Sequence, residues 1–244
     1  MKLLIIRHGD PDYSVDSLTQ KGRIEAKLLA ERISKLEIRD FYVSPLGRAR
    51  DTAAYTLEKM GRHATQCEWL REFPVKIERP DREGLSPVAW DWIPADWTAD
   101  PRFYDRDRWG ENEVFAKAGV KREYDRVTAE LDALLAKYGY VREGDIYRVE
   151  AANNDTVVFF CHFGLEAVLL SHLINVSPMV LWQGTIAAPT SVTTVVTEER
   201  RKGQASFRIT AFGDTSHLYV QGEPPAFAGR FCECYGNAGE RIDD

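Results

Sequence analysis

The first apolar run, Leu3-Leu4-Ile5-Ile6, is too short for a helix and has no polar interruption, which predicts a strand buried on both faces. After a loop holding Pro11 and Ser14, Thr19 predicts a helix cap, and Ile24, Leu28, Leu29 and Ile33 recur at helical spacing through about residue 34. Phe41-Tyr42-Val43 predicts a second short strand. Pro45 then sits where a helix can start, and that helix should run from about 47 to 60. A further strand is expected around 67–70. Residues 111–138 read as one helix, with Val114, Phe115, Ala118, Val127, Leu131, Leu134 and Leu135 as its apolar stripe. Val157-Val158-Phe159-Phe160 is the strongest strand signal, spanning 156–161, and a helix from about 164 to 174 follows at once. Beyond it, residues 191–197 and 205–211 flank a charged turn ending in Gly203, which predicts a hairpin. The tail from Gly222, rich in Gly and Pro, is expected to be irregular.

Strands alternating with helices predict an α/β protein. The expected architecture is a three-layer α/β/α sandwich with a mixed, mostly parallel central sheet. Residues 73–110 interrupt this rhythm: prolines at 74, 80, 87, 94 and 101 accompany Trp90, Trp92, Trp97 and Trp109, with little periodicity. They are expected to form an inserted cap within a single domain covering 1–244. The tryptophans could staple a long loop to the domain, or form a lid over a site; a cap doing both is the expectation.

Composition narrows the function. With 32 Lys+Arg against 38 Asp+Glu, the net charge is −6, and no basic run exceeds Arg200-Arg201-Lys202. Nucleic-acid binding would need clustered cations, so no nucleic-acid partner is expected. No apolar stretch approaches a membrane span, and the amino-terminal run is too short for a signal-peptide core, so a cytoplasmic protein with no membrane partner is expected. Of the four cysteines, Cys161 ends an apolar run and should be buried. Cys232-Glu233-Cys234 is too closely spaced for a zinc half-site. Neither a metal nor another cofactor is expected.

Chemistry gathers at the ends of the predicted strands, where sheets of this type place ligands. The first delivers Arg7-His8-Gly9, the second Ser44-Pro45-Leu46-Gly47-Arg48, and the strongest His162-Phe163-Gly164. If these strands are parallel neighbours, two histidines and two arginines meet. Arginine offers a fork of donors that matches phosphate oxygens. A histidine among arginines stays neutral and nucleophilic near neutral pH. His8 could then attack phosphorus, while Arg7, Arg48 and His162 stabilise the charge on the equatorial oxygens. Backbone N–H groups from Phe163 onward would add donors.

These three motifs, in this order, resemble the histidine phosphatase (phosphoglycerate mutase-like) superfamily. Arg7-His8-Gly9, Ser44-Pro45-Leu46-x-Arg48-Ala49-x-x-Thr52-Ala53 and the strand-ending His162 carry the resemblance, with Leu18-Thr19-x-x-Gly22-x-x-x-Ala26 between the first two. It covers the chain to about residue 72 and again from about 111 to 220. It implies that His8 is the phosphorylated nucleophile and that Arg7, Arg48 and His162 form the phosphate pocket. It also implies that Glu72, in Leu70-Arg71-Glu72, is the general acid, with Glu83 and Asp12 as substitutes. The acid-phosphatase and phytase branch carries Asp after its second histidine; Phe163 stands there here, which favours the first branch. Ser14 occupies a position where mutases of the family have Asn, and is a candidate donor to phosphate.

The expected enzyme is a phosphomonoesterase of the histidine acid phosphatase type, acting on a small phosphorylated metabolite through a phosphohistidine. One alternative is a phosphoglycerate mutase-type phosphotransferase. Another is a weakly catalytic module that binds phospho-ligands. The insertion shows no arginine pair of the kind with which mutases hold a second acidic group. His63 and His172 read as structural. His217 reads as structural as well, or as part of the pocket's back wall.

Overall fold

The computed structural model describes residues 1–79, 81, 84, 87–237, 239 and 240. The chain begins with β1 (Lys2–Arg7), a small ribbon of β2 (Pro11–Asp12) and β3 (Ser17–Leu18), and α1 (Gln20–Ile33). Next come β4 (Asp40–Val43), α2 (Gly47–Met60) and β5 (Thr65–Gln66). The middle holds α3 (Pro94–Thr98), α4 (Glu113–Ala118), α5 (Val120–Lys137), β6 (Tyr140–Glu143) and β7 (Ile146–Val149). Then follow β8 (Thr156–Cys161), α6 (Phe163–Ile174), α7 (Pro178–Gly184), β9 (Val192–Arg201), β10 (Gln204–Asp214) and α8 (Ser216–Tyr219).

Eight strands form one sheet in the order β5-β4-β8-β1-β9-β10-β7-β6. The alternation of side chains across it explains why its central strands are apolar throughout. Leu3, Ile5, Val157 and Phe159 pack into a core with α5 and α6, while Leu4, Ile6, Val158 and Phe160 pack on the other face with residues of α1 and α2. Both faces are covered, and the sandwich has its three layers.

The sheet is mixed, but not mostly parallel as expected. Three junctions are parallel (β5–β4, β4–β8, β8–β1) and four are antiparallel (β1–β9, β9–β10, β10–β7, β7–β6). The reason is that two hairpins, β6–β7 and β9–β10, fill the side of β1 away from β8. The β6–β7 hairpin lies beyond the expected elements. Its Gly144-Asp145 turn, with Gly144 at φ +59°, is the signal that marks it.

Local differences have local causes. The strand expected at 67–70 is a 3₁₀ turn, Glu68–Leu70, which buries Trp69 and Leu70. The helix expected over 111–138 breaks at Gly119, whose φ of +74° ends α4 as α5 begins. Thr19 caps α1 as expected, its Oγ1 accepting from Gly22 N. On that helix Ile24 is exposed, and Gly22, Glu25 and Ala26 are buried instead. Gly22 is buried because α1 crosses the backbone of Asp10 there; a Cβ would sit 2.3 Å from the Asp10 carbonyl oxygen.

The insertion divides its tryptophans. Trp92 and Trp109 are buried with Phe103, Phe115 and Tyr124 in edge-to-face contacts, an apolar annex of the main core. Trp90 lies apart, 5.7 Å from the Trp182 ring on α7. Among the described residues no helix is long and apolar enough to cross a membrane.

Candidate active site

The sheet register builds the site. Arg7 at the end of β1 pairs with Cys161 at the end of β8, so His8 and His162 emerge side by side, their ring centroids 5.1 Å apart. On the other side of β8, Val43 pairs with Phe160, which brings Ser44 to His162; Ser44 Oγ is 2.8 Å from His162 Nε2. Ser44 thereby fixes one ring nitrogen, and His162 Nδ1 is buried with no hydrogen-bonding partner among the described residues. For His8 the fixed nitrogen is Nδ1, 2.7 Å from the Gly9 carbonyl oxygen. A carbonyl only accepts, so Nδ1 carries the proton and Nε2 keeps the lone pair.

Arg48 enters from the first turn of α2, a position that a helix dipole disfavours for a cation unless an anion answers it. Within the protein that answer is Asp16, one of three non-glycine residues at positive φ among the described residues. Asp16 Oδ1 accepts from Arg48 at 2.6 Å, and Oδ2 accepts from Gly47 N at 2.7 Å. The Tyr13 ring lies against the same guanidinium, 5.4 Å away. Thr52, one turn further along α2, accepts from Gly9 N at 2.9 Å and donates to Arg48 O, locking the helix to the loop after β1. Arg7 donates to the carbonyls of Ala187 at 2.6 Å and Ala228 at 3.1 Å.

Burial and the arginines set the charge states. Both histidines are held well below the usual imidazole range, first by burial, then by Arg7 and Arg48, and for His162 by His8 as well. They are neutral at pH 7. Glu72 is shifted the other way: burial raises its pKa, against the lowering effects of the N–H groups of Phe73 and Leu165 and of Arg7 and Arg48. Its carboxylate caps α6, with Oε1 accepting from Leu165 N at 3.0 Å and Oε2 from Gly164 N at 3.4 Å. Those helix N–H groups were expected to serve phosphate. They hold Glu72 instead, and Phe163 contributes to the wall of the cleft.

The cleft has a volume of about 600 Å³, and Arg7, Arg48, Glu72, Trp90, Phe163 and Trp182 are among its lining residues. Ser14 is not brought there. It is exposed, and both its N–H and its hydroxyl donate to Asp12 Oδ1, a local turn in which a short side chain finds the carboxylate two residues back. Asp12 is occupied in the same turn and does not line the cleft either. Glu83 lies outside the described residues. His217 packs behind the site, Nε2 3.2 Å from Thr190 Oγ1, with its pKa pushed down to about 4, mainly by burial. Thr190 N in turn donates to the Arg7 and His8 carbonyls. His172 pairs with Asp132, away from the cleft.

Residues without an expected role also converge here: Tyr13, Asp16, Thr52 and Glu166. The last had a visible signal, being the one acidic residue in the apolar run of α6. Glu166 is buried, and burial pushes its pKa up to about 8, with Glu72 adding to the effect and Thr193 and Arg7 opposing it. An unfolded glutamate titrates near ~4.3, so between about pH 5 and 8 the folded state holds a proton that the unfolded state has lost. The stability this group contributes is complete below the unfolded value and is lost at up to ~1.4 kcal/mol per pH unit as pH rises towards 8. Glu166→Gln keeps the shape without the titration. From about pH 6 to about pH 8 its unfolding free energy should fall less than that of wild type, by roughly 1–3 kcal/mol. Urea titrations at the two pH values measure this, and parallel losses in both proteins would refute it.

A buried histidine pair ringed by arginines, at the carboxyl ends of parallel strands, defines a class: enzymes that act on phosphate esters. Residues 3–210 match the sequence profile of the histidine phosphatase superfamily (branch 1), and the chain belongs to that family. Its activity is that of the family, phosphatase or mutase, and the match does not single out the acid-phosphatase type. A Schizosaccharomyces pombe protein named a probable phosphatase is 29% identical over 234 residues, covering 89% of this chain and 95% of its own. A Serratia proteamaculans protein named a probable phosphoglycerate mutase is 32% identical over 114 residues, 42% of this chain and 53% of its own. Among solved structures, an Entamoeba histolytica phosphoserine phosphatase mutant with phosphoserine bound has the same fold. Its TM-score is 0.59 at 22% identity, over 89% of this chain and 98% of that one. A mycobacterial glucosyl-3-phosphoglycerate phosphatase gives 0.55 at 21%, over 87% and 98%.

Proposed function

We propose that the protein hydrolyses phosphomonoesters of small metabolites through a phosphohistidine on His8. The observation that carries this reading is the orientation of His8: Nδ1–H is held by the Gly9 carbonyl, which leaves the Nε2 lone pair for phosphorus, beside His162 and two arginines. In the first step Nε2 bonds to phosphorus as the ester P–O bond breaks. Glu72 in its acid form, the form burial favours, gives its proton to the leaving oxygen. Arg7, Arg48 and His162 bind the equatorial oxygens, where charge accumulates. In the second step the Glu72 carboxylate takes a proton from water, the oxygen attacks phosphorus, and the P–N bond breaks to release phosphate and free His8.

The mutase reading differs only in what accepts the phosphoryl group. Hydrolysis is favoured by the lining of the cleft: among the described residues the insertion contributes Val88, Trp90 and Asp91 there and no cation, and beyond Arg7 and Arg48 the one lining cation is Arg230 of the tail. The relative matched along most of the chain is also named a phosphatase. Supplied with 3-phosphoglycerate and 2,3-bisphosphoglycerate, the protein should release inorganic phosphate. Accumulation of 2-phosphoglycerate without phosphate would overturn the hydrolytic reading.

We further propose that residues 73–110 act as a cap on this single domain, with the buried Trp92 and Trp109 anchoring it and Trp90 bounding the leaving-group side of the cleft.

A further inference from the structure

The described residues past α8 have no regular structure, yet residues 223–231 run across the site. Glu25, fully buried in α1, accepts two backbone N–H groups at 2.9 Å: Asp10 N from the loop after His8, and Ala226 N from the tail. Lys21, one turn earlier, donates to Glu223 and to the Pro224 carbonyl. The chain then reaches Arg7, whose guanidinium donates to Ala228 O. At the next residue the fit is closest. Gly229 has φ +86°, and a Cβ there would lie 2.8 Å from one terminal nitrogen of Arg7 and 3.1 Å from the other. Arg230 and Phe231 continue along the wall of the cleft. The tail residues that make these contacts, 223–231, lie beyond residue 210, where the match to the family ends.

We propose that residues 223–231 are a strap that completes the phosphate pocket, with the backbone of Ala228 and Gly229 positioning the Arg7 guanidinium and Glu25 tying the strap to the nucleophile loop. The proposal rests on Arg7 being a phosphate ligand, as read above. Two carbonyls, one from each side, hold one guanidinium nitrogen, so the plane of the fork is set before an anion arrives. Ala228 and Gly229 act through Arg7 and touch no reacting atom. Glu25 needs both its oxygens as acceptors. A glutamine there would turn an N–H₂ towards one of two N–H donors, releasing either the strap or the loop.

The test compares full-length Gly229→Ala and Glu25→Gln with Gly239→Ala. Gly239 has the same sign of φ (+96°) with nothing within 4 Å of an added Cβ, so it carries the backbone strain without the contact. Inorganic phosphate binding by calorimetry is read beside kcat and KM on p-nitrophenyl phosphate and the melting temperature. Gly229→Ala should weaken phosphate binding about tenfold or more and lower kcat/KM by roughly 10–100-fold, with little change in melting temperature. Glu25→Gln should move the same quantities in the same direction, and Gly239→Ala should move neither. Wild-type phosphate affinity in both Gly229→Ala and Glu25→Gln would overturn the strap, as would equal losses in Gly229→Ala and Gly239→Ala. If wild type binds phosphate and Gly229→Ala does not, while neither hydrolyses any ester, the strap stands and the hydrolase reading falls. If both hydrolyse and bind equally, the reverse holds.

Discussion

His8→Ala should abolish turnover of p-nitrophenyl phosphate, with a loss of at least about 10³-fold in kcat. It should also remove the acid-labile phosphoryl label that wild type acquires when quenched during turnover of labelled substrate. No other group in the cleft can replace it. His162 lies beside it, but Ser44 holds its Nε2, and its buried, unpartnered Nδ1 is the nitrogen left to bind a phosphate oxygen in the proposed pocket. The fold should survive, because His8 supports its surroundings through the backbone: its N–H donates to Cys161 O and its carbonyl accepts from Thr190. An alanine keeps both bonds. Robust turnover by His8→Ala, or a wild-type enzyme that never carries the label, would refute the phosphohistidine route and favour a module that binds phospho-ligands.

The second large effect is expected at Glu72 and depends on the leaving group. With an alkyl phosphate the departing alkoxide needs a proton, so Glu72→Gln should reduce kcat by roughly 10²–10⁴-fold. With p-nitrophenyl phosphate the departing phenolate is stable unprotonated, and the first step should be slowed far less. The pH dependence has a definite sign. Burial raises the Glu72 pKa, and the acid form is the one needed for the first step. Wild-type turnover of the alkyl ester should therefore fall as pH rises through that pKa, and Glu72→Gln should lose this limb. Equal slowing of the first step on both substrates, read as the pre-steady-state burst so that the shared second step does not enter, would assign Glu72 to positioning through its cap on α6, rather than to proton transfer.

Much of the site was legible because the chemistry sits at the ends of strongly apolar strands. Leu3 to Ile6 and Val157 to Phe160 announce buried strands, which end at Arg7 and Cys161, and the next residue after each strand is a histidine. Arg48 could be read from its odd place at a helix start. What could not be read has a common cause. The strap touches Arg7 with carbonyls and a missing side chain, and a backbone contact leaves no residue-type signature. Asp16 is an ordinary loop carboxylate until the fold puts Arg48 next to it. Ser14 stands outside the cleft, where the local turn with Asp12 occupies its hydroxyl. The balance of parallel and antiparallel pairs was missed because a short hairpin with charged, exposed positions, such as Glu143 and Arg148, lacks the apolar run that marked the central strands.

The pairing of Lys2 to Arg7 with Thr156 to Cys161 has a consequence for how the enzyme becomes active. These neighbours in space are separated by most of the chain, and closing so long a loop has a large entropic cost that is recovered only when both cores form around the pair. A one-residue slip would turn every side chain of β1 to the opposite face and carry His8 away from His162. A nascent or partly folded chain therefore holds the two histidines apart, and neither half of the polypeptide has a rudimentary version of the site. Activity therefore requires that pairing, and its recovery during refolding reports that β1 and β8 have joined in register.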